Sequence, residues 1–355
     1  MSQAPGSDRS NGPDRIAVIG AGPAGGYLAR SLALAGLEVD LYDHSHPREK
    51  PCGGVISAEA LRYLPEAADL PSANRLPDLA IRTPFGHRFR QRQESPSLAV
   101  DRRELDGSLL AGAVRAGATH HPDRVLAVNL EDGAPRLRTR HGERAYDLIV
   151  GADGVRSLVA RAVGLTIPPL QLGHVEGGWG PPIGPMGTMV LHFSDLLGYA
   201  WVINRAERSS VGIVGRHGDR QAIQARFQAF LEDLQIPAEQ LSPYRWSIPF
   251  SNDVFALEQP RCGKGWLLVG DAAGFCDPLT AQGIHLAVAS AWAAAAAILS
   301  GQPNRYENRW RDLFGANLYF GVRHRDLLGS RPMTERMLRS LEHNPGLGLN
   351  FFKTI

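Results

Sequence analysis

The sequence predicts an α/β fold: a Rossmann-like dinucleotide-binding domain, an antiparallel β-sheet domain inserted into it, and a C-terminal helical segment. Three glycine-rich turns each follow a short apolar run, which is typical of strands that end at one edge of a parallel sheet. Alternating, turn-linked runs in the middle of the chain predict antiparallel strands. An alanine-rich run near the end predicts a buried helix.

The first turn is Gly20-Ala-Gly22-Pro-Ala-Gly25, between the β-branched run that begins at Arg15 and an apolar-spaced segment that stops at Gly36. This order predicts strand, turn and helix. A second predicted strand ends at Asp43, at the spacing where an acid accepts hydrogen bonds from a ribose, and the glycines let a pyrophosphate approach the helix N-terminus. We therefore expect a dinucleotide site that includes Gly20, Gly22, Pro23, Ala24, Gly25 and Asp43.

Two later turns indicate which dinucleotide is bound. The predicted strand Tyr146–Val150 leads into Gly151-Ala-Asp153-Gly154, and a later apolar run leads into Gly270-Asp271-Ala-Ala-Gly274. Each turn carries an Asp that can hold a ribityl chain, beside small residues that let the backbone come close to a cofactor. Either turn alone is an ordinary Asp-containing turn, whereas all three together favour FAD over NAD. This adds Asp153, Gly154, Gly270, Asp271 and Gly274 to the expected site.

These turns resemble the FAD-binding framework of the para-hydroxybenzoate hydroxylase type of flavoprotein. Two segments, Lys50-Pro-Cys52-Gly53-Gly54 and the stretch from Gly270 to Gly283-Ile284, resemble the geranylgeranyl reductase branch of that type. Gly274 stands where hydroxylases often carry His. Asp101-Arg102 matches the branch's Asp-Arg pattern, whose Arg contacts the cofactor. The resemblance covers most of the chain, differs at Ala281-Gln282, and implies cofactor contacts at Cys52, Gly53, Gly54, Arg102, Gly283 and Ile284.

The middle of the chain is where a substrate is expected. Thr188–Phe193, Tyr199–Asn204 and Ser209–Val214 alternate as antiparallel strands do. Tyr199 and Trp201 fall on one face by the two-residue period. The resemblance implies that this face covers the substrate cavity, and the alternative is that the aromatic rings fill the core of the sheet.

The expected domains are discontinuous, with FAD-binding elements on both sides of the substrate sheet. Residues 1–14 are polar and are expected to form a disordered tail. The FAD-binding domain is assigned to residues 15–80, 98–170 and 258–302, the substrate domain to 81–97 and 171–257, and the C-terminal helical segment to 303–355.

Composition limits the function classes. Hydrophobic residues make up 43% of the chain, charged residues 21%, and the formal net charge is +2, so a nucleic-acid-binding protein is not indicated. The spacing of Cys52, Cys262 and Cys276 matches no metal site and suits a reducing cytosol. The run Ile284–Leu299 is too short to span a bilayer. A tail rich in aromatic residues and arginines either covers the core or contacts lipids, which leaves peripheral membrane contact open for a cytoplasmic protein.

The resemblance implies an oxidoreductase with non-covalent FAD that transfers a hydride from reduced flavin to a carbon–carbon double bond of an isoprenoid or other hydrophobic substrate. Cys52 and His285 are the candidate catalytic residues because they are protic side chains expected near the flavin, with packing as the alternative role for each. NAD(P)H or ferredoxin would be the external reductant. Two alternatives stay open: an FAD-dependent monooxygenase that hydroxylates or epoxidises a hydrophobic or aromatic compound, and a flavoprotein that passes electrons to a quinone or protein partner.

Overall fold

A computed structural model describes residues 12–82, 88–130, 134–165, 172–193, 198–216, 220–250 and 253–328, together with Pro332 and Arg336. The predicted tail 1–14 lies outside the described residues up to position 11, and so does most of the chain after Leu328. The expected boundary at residues 170–171 also lies outside them.

The first sheet has six strands in the order β16-β17-β10-β1-β2-β6. Its strands are β1 (Arg15–Ile19), β2 (Glu38–Tyr42), β6 (Thr119–His121), β10 (Leu148–Gly151), β16 (Cys262–Gly263) and β17 (Trp266–Leu268). The pairs within it are parallel except for β16 with β17. β1, β10 and β17 each lead into one of the predicted glycine-rich turns, so the three turns meet at the carboxyl edge of this sheet.

Helices cover this sheet. The long ones are α1 (Pro23–Leu34), α3 (Arg102–Arg115) and α7 (Ile284–Leu299), and α1 packs against both others. α1 buries Leu28 and Leu32 completely. The alanine-rich helix matches the predicted run from Ile284 to Leu299. No helix among the described residues is long and apolar enough to cross a membrane.

The second sheet has eight strands in the order β15-β11-β14-β13-β12-β4-β5-β3. They are β3 (Val55–Ile56), β4 (Asn74–Arg82), β5 (Arg88–Ala99), β11 (Leu172–Gly180), β12 (Thr188–Phe193), β13 (Tyr199–Asn204), β14 (Ser209–Arg216) and β15 (Ser242–Pro249). The pairs are antiparallel apart from β12 with β4.

The second sheet begins earlier in the chain than expected. Strands β3 and β4 belong to it, although residues 15–80 were assigned to the FAD-binding domain. The sequence pattern does not predict β4 as a strand, because Pro77 and Asp78 interrupt its apolar alternation and its partner β5 is mainly polar. Pairing across the sheet overrides these weak local preferences.

One face of the second sheet is covered by α5 (Arg220–Asp233), which buries Ile223 and Phe227 against β13 and β14. A small three-stranded sheet lies apart from it: β7 (Ala127–Asn129), β8 (Arg136–Thr139) and β9 (Gly142–Ala145). The short helices are α2 (Ala58–Leu61), α4 (Leu158–Ala162) and α6 (Val254–Glu258).

The C-terminal segment forms a covering helical layer as far as it is described. It consists of α8 (Tyr306–Trp310), a π-helical turn (Arg311–Gly315) and α9 (Ala316–Leu328). Trp310 is fully buried, and both it and Phe314 pack against Phe275. The hydroxyl of Tyr306 donates to the carbonyl of Leu268 at 2.8 Å, which ties the layer to the first sheet.

Candidate functional site

A cavity of about 790 Å³, including its open mouth, lies between the second sheet and two loops from the FAD-binding side of the molecule. Its wall is mainly apolar. It is lined by Pro51, Cys52, Gly53, Gly54, Val55, Val175, Met189, Leu191, Tyr199, Trp201, Ile203, Val214, Ile248, Thr280, Ala281, Gln282, Gly283 and Ile284.

Strand β13 supplies the aromatic part of the wall. Its side chains alternate: Tyr199 and Trp201 face the cavity, while Ala200 packs toward α5. The indole nitrogen of Trp201 donates to Ser210 Oγ at 3.1 Å. The hydroxyl of Tyr199 donates to the carbonyl of Thr280, and burial raises the pKa of Tyr199 far above its ordinary value. The two rings therefore line the cavity, and the Tyr199 hydroxyl also joins the sheet to the loop opposite.

The loop that carries Cys52 requires its two glycines. A Cβ on Gly53 would lie 2.6 Å from Ile203 Cδ1, and a Cβ on Gly54 would lie 2.2 Å from the carbonyl oxygen of Val100. Gly54 also has a φ of +74°, in the left-handed region. Its backbone N–H donates to Cys52 Sγ at 3.3 Å. The loop can therefore press against both the sheet and the start of α3, and Cys52 lies in the cavity wall.

Arg102 lies behind this loop and does not line the cavity; the cofactor contact that the resemblance implies for it stays a prediction. It is buried, and its guanidinium donates to both carboxylate oxygens of Asp106 at 3.1 and 2.8 Å. Its side chain also interacts with the Cys52 thiol. Burial alone would lower the pKa of Arg102, but the charge of Asp106 raises it overall. Arg102 therefore acts on the site through Cys52.

Sequence reasoning missed Arg205, which is fully buried. Its guanidinium donates to Glu49 Oε1 at 2.7 Å, to Asp101 Oδ1 at 2.6 Å and to the carbonyl of Cys52 at 2.9 Å. Arg208 bonds the same two carboxylates at 2.9 and 2.8 Å. Burial would raise the pKa of Asp101, but hydrogen bonds from the two arginines lower it. The segment Arg205-Ala-Glu-Arg208 has the sequence of an exposed hairpin turn, so nothing local marked it.

The first glycine-rich turn fits a pyrophosphate. Gly20 has a φ of +102°, and a Cβ on Gly25 would lie 1.8 Å from the Gly20 carbonyl oxygen, so both positions require glycine. A Cβ on Gly22 would meet only His46 Nε2, at 3.8 Å. No side chain caps α1, and its first turn holds no acid. The positive end of the helix is therefore not neutralised by a side-chain cap or an acid in its first turn, as an anion site requires.

Asp43 holds this turn together. Oδ2 accepts from the Ala21 N–H at 2.8 Å and from His46 Nδ1 at 2.7 Å, and Oδ1 accepts from the backbone N–H groups of Ser45 and His46 and from Ser45 Oγ. Burial would raise the pKa of Asp43, but these donors lower it strongly. Five donors saturate a carboxylate. A ribose hydroxyl would have to replace one of them, and the Ser45 hydroxyl is the one that can rotate away.

The second and third turns present the two predicted aspartates differently. Asp153 Oδ2 accepts from the Leu158 N–H at the start of α4, while Oδ1 is buried and has no partner within the described residues. Burial raises the pKa of Asp153. Asp271 lies at the cavity mouth, where Lys50 Nζ is 3.3 Å from Oδ2, and a Cβ on Gly283 would lie 3.2 Å from Oδ1. Both carboxylates leave an oxygen for a polar chain.

The loop before α7 has a strained backbone. Asp277 Oδ1 accepts from the backbone N–H groups of Leu279 and Thr280 and from Thr280 Oγ1. Burial raises the pKa of Asp277. The next residue along, Ala281, has a φ of +55°, which a side chain other than glycine rarely adopts. Ala281 lines the cavity, and its backbone there has a conformation that glycine would adopt without strain.

His285 does not face the cavity. It lies one residue beyond Ile284, and its ring centroid is 6.4 Å from that of Tyr63, which is also 6.2 Å from the ring centroid of Trp292. Burial lowers the pKa of His285. The helical period explains the difference: Ile284, Gly283 and His285 point in different directions around the start of α7, and only the first two line the cavity. The catalytic role expected of His285 beside the flavin stays a prediction.

Comparisons with known proteins agree with this geometry. Residues 15–179 match the FAD binding domain family. The chain is 31% identical, over 92% of its length and 91% of the relative, to digeranylgeranylglycerophospholipid reductase 2 of Methanothermobacter thermautotrophicus. It is 27% identical to the chloroplastic geranylgeranyl diphosphate reductase of Arabidopsis thaliana, over 83% of this chain and 68% of that one.

Solved structures share the fold. A geranylgeranyl bacteriochlorophyll reductase-like protein of Thermoplasma acidophilum superposes with a TM-score of 0.77 at 22% identity, over 89% of this chain and 87% of that chain. A flavin-dependent brominase superposes with a TM-score of 0.77 at 19% identity, over 96% and 92% of the two chains. A probable FAD-dependent monooxygenase of Pseudomonas aeruginosa superposes with a TM-score of 0.73 at 17% identity, over 92% of this chain and 99% of that chain.

The buried arginine generates a stability prediction. We expect Arg205→Met to lower the free energy of unfolding by about 3–5 kcal/mol, because it leaves two carboxylates only partly compensated in a buried place. Arg208→Met is the matched control. Its side chain is 34% exposed, so we expect a loss of about 1 kcal/mol. Urea denaturation measures both values, and equal losses would contradict the central position given to Arg205.

The strained backbone at Ala281 generates a second stability prediction. We expect Ala281→Gly to raise the free energy of unfolding by about 0.5–1 kcal/mol, because relief of the left-handed backbone exceeds the extra chain entropy of glycine. Ala289→Gly, in the middle of α7, is the control and should lose about 1 kcal/mol. Thermal denaturation compares them. A destabilised Ala281→Gly protein would mean that the methyl group's packing outweighs the strain.

Proposed function

Because this chain belongs to the geranylgeranyl reductase family of FAD-dependent oxidoreductases, we propose that it reduces carbon–carbon double bonds of an isoprenoid or another hydrophobic substrate. The observation that carries the proposal is the cavity: an apolar wall from the second sheet faces a loop that carries the half-buried, free Cys52. An apolar pocket with few polar groups suits a hydrocarbon chain. The named relatives are reductases of geranylgeranyl compounds, which is the same substrate class.

We propose that FAD is held without a covalent bond by the three turns. The N-terminus of α1 at Gly22–Gly25 would take the pyrophosphate, and Asp43 a ribose hydroxyl in exchange for Ser45. Asp153 and Asp271 would take the ribityl chain, each with its remaining oxygen. We propose that FAD is also contacted at Gly154, Gly270, Gly274, Gly283 and Ile284. Bound FAD, once reduced, supplies the hydride.

The protein's own task is to exclude water and to supply a proton. Tyr199 donates to Thr280, Trp201 donates to Ser210, and Thr280 Oγ1 donates to Asp277. The Cys52 thiol is therefore the protic group of the wall that we propose as proton donor at Sγ. Addition of one hydride and one proton saturates one double bond. The Arg102 side chain interacts with this thiol from behind the loop.

We further propose a cytoplasmic protein that meets its substrate at a lipid surface. Phe255 on α6 and Phe320 on α9 are 77% and 53% exposed, and these two helices contact each other. Exposed aromatic groups on adjacent helices suit peripheral contact with a membrane. NAD(P)H or ferredoxin is the proposed external reductant.

Cofactor retention tests the placement of the two loops. We expect Asp271→Ala to weaken FAD binding by about ten- to hundredfold, through loss of a charge-assisted hydrogen bond of roughly 1.5–3 kcal/mol. Cys52→Ala, on the loop opposite, should bind FAD as the unchanged protein does. Titration of apoprotein with FAD, followed by flavin fluorescence, gives both constants. Colourless Cys52→Ala protein beside yellow Asp271→Ala protein would overturn the placement.

Anaerobic turnover tests the reaction. The bound flavin is reduced with dithionite without oxygen, and an unsaturated prenyl lipid or prenylated quinone is added. We expect the flavin to reoxidise and the product to gain two hydrogens for each flavin, with at least a tenfold slower reoxidation in Cys52→Ala. A flavin that stays reduced until air enters, with one oxygen atom added to the product, would establish the monooxygenase instead. Reoxidation by a quinone whose double bonds survive would indicate electron transfer.

A further inference from the structure

His46 lies between two buried carboxylates. Its Nδ1 is 2.7 Å from Asp43 Oδ2 and its Nε2 is 3.2 Å from Asp106 Oδ2, and the side chain is 8% exposed. Asp106 is itself fully buried and bound by Arg102. A continuous row of polar groups therefore runs from Asp43 through His46, Asp106 and Arg102 to Cys52.

This geometry determines the proton count of the ring. A neutral imidazole carries one N–H and one lone pair, so it can bond only one of two carboxylates and turns its lone pair toward the other. Both nitrogens of His46 face carboxylate oxygens within hydrogen-bonding distance. With both nitrogens protonated, the row contains two anions and two cations and is neutral as a whole, which is how buried charges are tolerated.

The other groups around His46 do not reverse this balance. Gly22, the N-cap of α1, lies beside Nε2, so the positive end of that helix opposes a cation there. Ser45 Oγ is 3.5 Å from Nδ1, and Arg102 is turned toward Asp106. Burial alone would lower the pKa of His46, but the hydrogen bonds and charges of Asp106 and Asp43 raise it above its ordinary value.

We propose that His46 is an imidazolium in the folded protein at neutral pH and is a positioning residue that places a positive charge beside the phosphate-binding turn of α1. The proposal rests on the FAD site described above. The imidazolium holds Asp43 under the turn on one side and Asp106 under the Cys52 loop on the other. Loss of its proton leaves one of the two carboxylates facing an imidazole lone pair, close to an incoming dianion.

Both the stability of the protein and its affinity for FAD should depend on pH. Because the folded pKa of His46 is raised, its contribution to stability is complete below the unfolded value of about 6.5 and is lost as pH rises through the folded pKa. The affinity for FAD should fall over the same rise. We expect His46→Gln to weaken FAD binding about tenfold at pH 6 and to flatten the dependence of the dissociation constant on pH. Asp106→Asn should move the midpoint of that dependence to lower pH.

The matched control is His120→Gln. His120 also contacts Asp43, but through the backbone carbonyl at 3.1 Å, so its replacement should leave the pH dependence in place. Nitrogen-15 spectra of the imidazoles test the unchanged apoprotein and do not depend on any variant folding. We expect both nitrogens of His46 to carry protons at pH 7.

Three results would overturn the proposal: a His46 ring with one bare nitrogen at pH 7, a His46→Gln protein with the wild-type pH profile, or a His120→Gln protein with the profile expected of His46→Gln. Failure of the unchanged protein to bind FAD at any pH would remove the FAD site and, with it, the link from the imidazolium to the phosphates. None of these measurements uses a prenyl substrate, so failure of the reductase proposal would leave them intact.

Discussion

The cavity depends on one buried ion cluster, in which Arg205 joins the hairpin between β13 and β14 to the loop that carries Cys52. Its guanidinium bonds the carbonyl of Cys52 directly and holds Glu49 on one side of the loop and Asp101 at the start of α3. Glu49 in turn accepts from the first N–H groups of that helix. A buried cation bound by two carboxylates is costly to disrupt. Sheet, loop and helix therefore stay in a fixed relation at the cavity.

The opposite wall is fixed by different means. The loop before α7 is folded on its own Asp277 and reaches the second sheet through the hydroxyl of Tyr199. The Tyr199 ring also lines the cavity, so one side chain is both part of the cavity wall and a structural link between the loop and the sheet. Strain at Ala281 is tolerated because these bonds determine the backbone around it. Both loops come from FAD-binding elements, which explains how a cofactor held at the first sheet can reach a cavity under the second.

The sequence predicted the turns and the alternation of β13 because both are local signals. Gly20 and Gly25 are required by close backbone contacts, and the two-residue period alone assigns Tyr199 and Trp201 to one face. The ion pairs could not be predicted in this way. Arg205 and Glu49 are 156 positions apart, and nothing in either segment names the other. His285 does not line the cavity although its neighbour Ile284 does, because proximity in sequence does not determine the direction of a side chain on a helix.

A reductase-like protein, a brominase and a probable monooxygenase share this fold at 22%, 19% and 17% identity, so the fold alone does not determine the reaction. In this chain Tyr199, Trp201 and Thr280 each donate a hydrogen bond within the protein, and the Cys52 sulfur accepts from the Gly54 N–H and interacts with Arg102. A mainly apolar wall of that kind offers a hydrocarbon chain little competition from water. The row of charges behind the thiol continues to the turn of α1 through His46, so the geometry of the cavity and that of the cofactor site are set by the same buried residues.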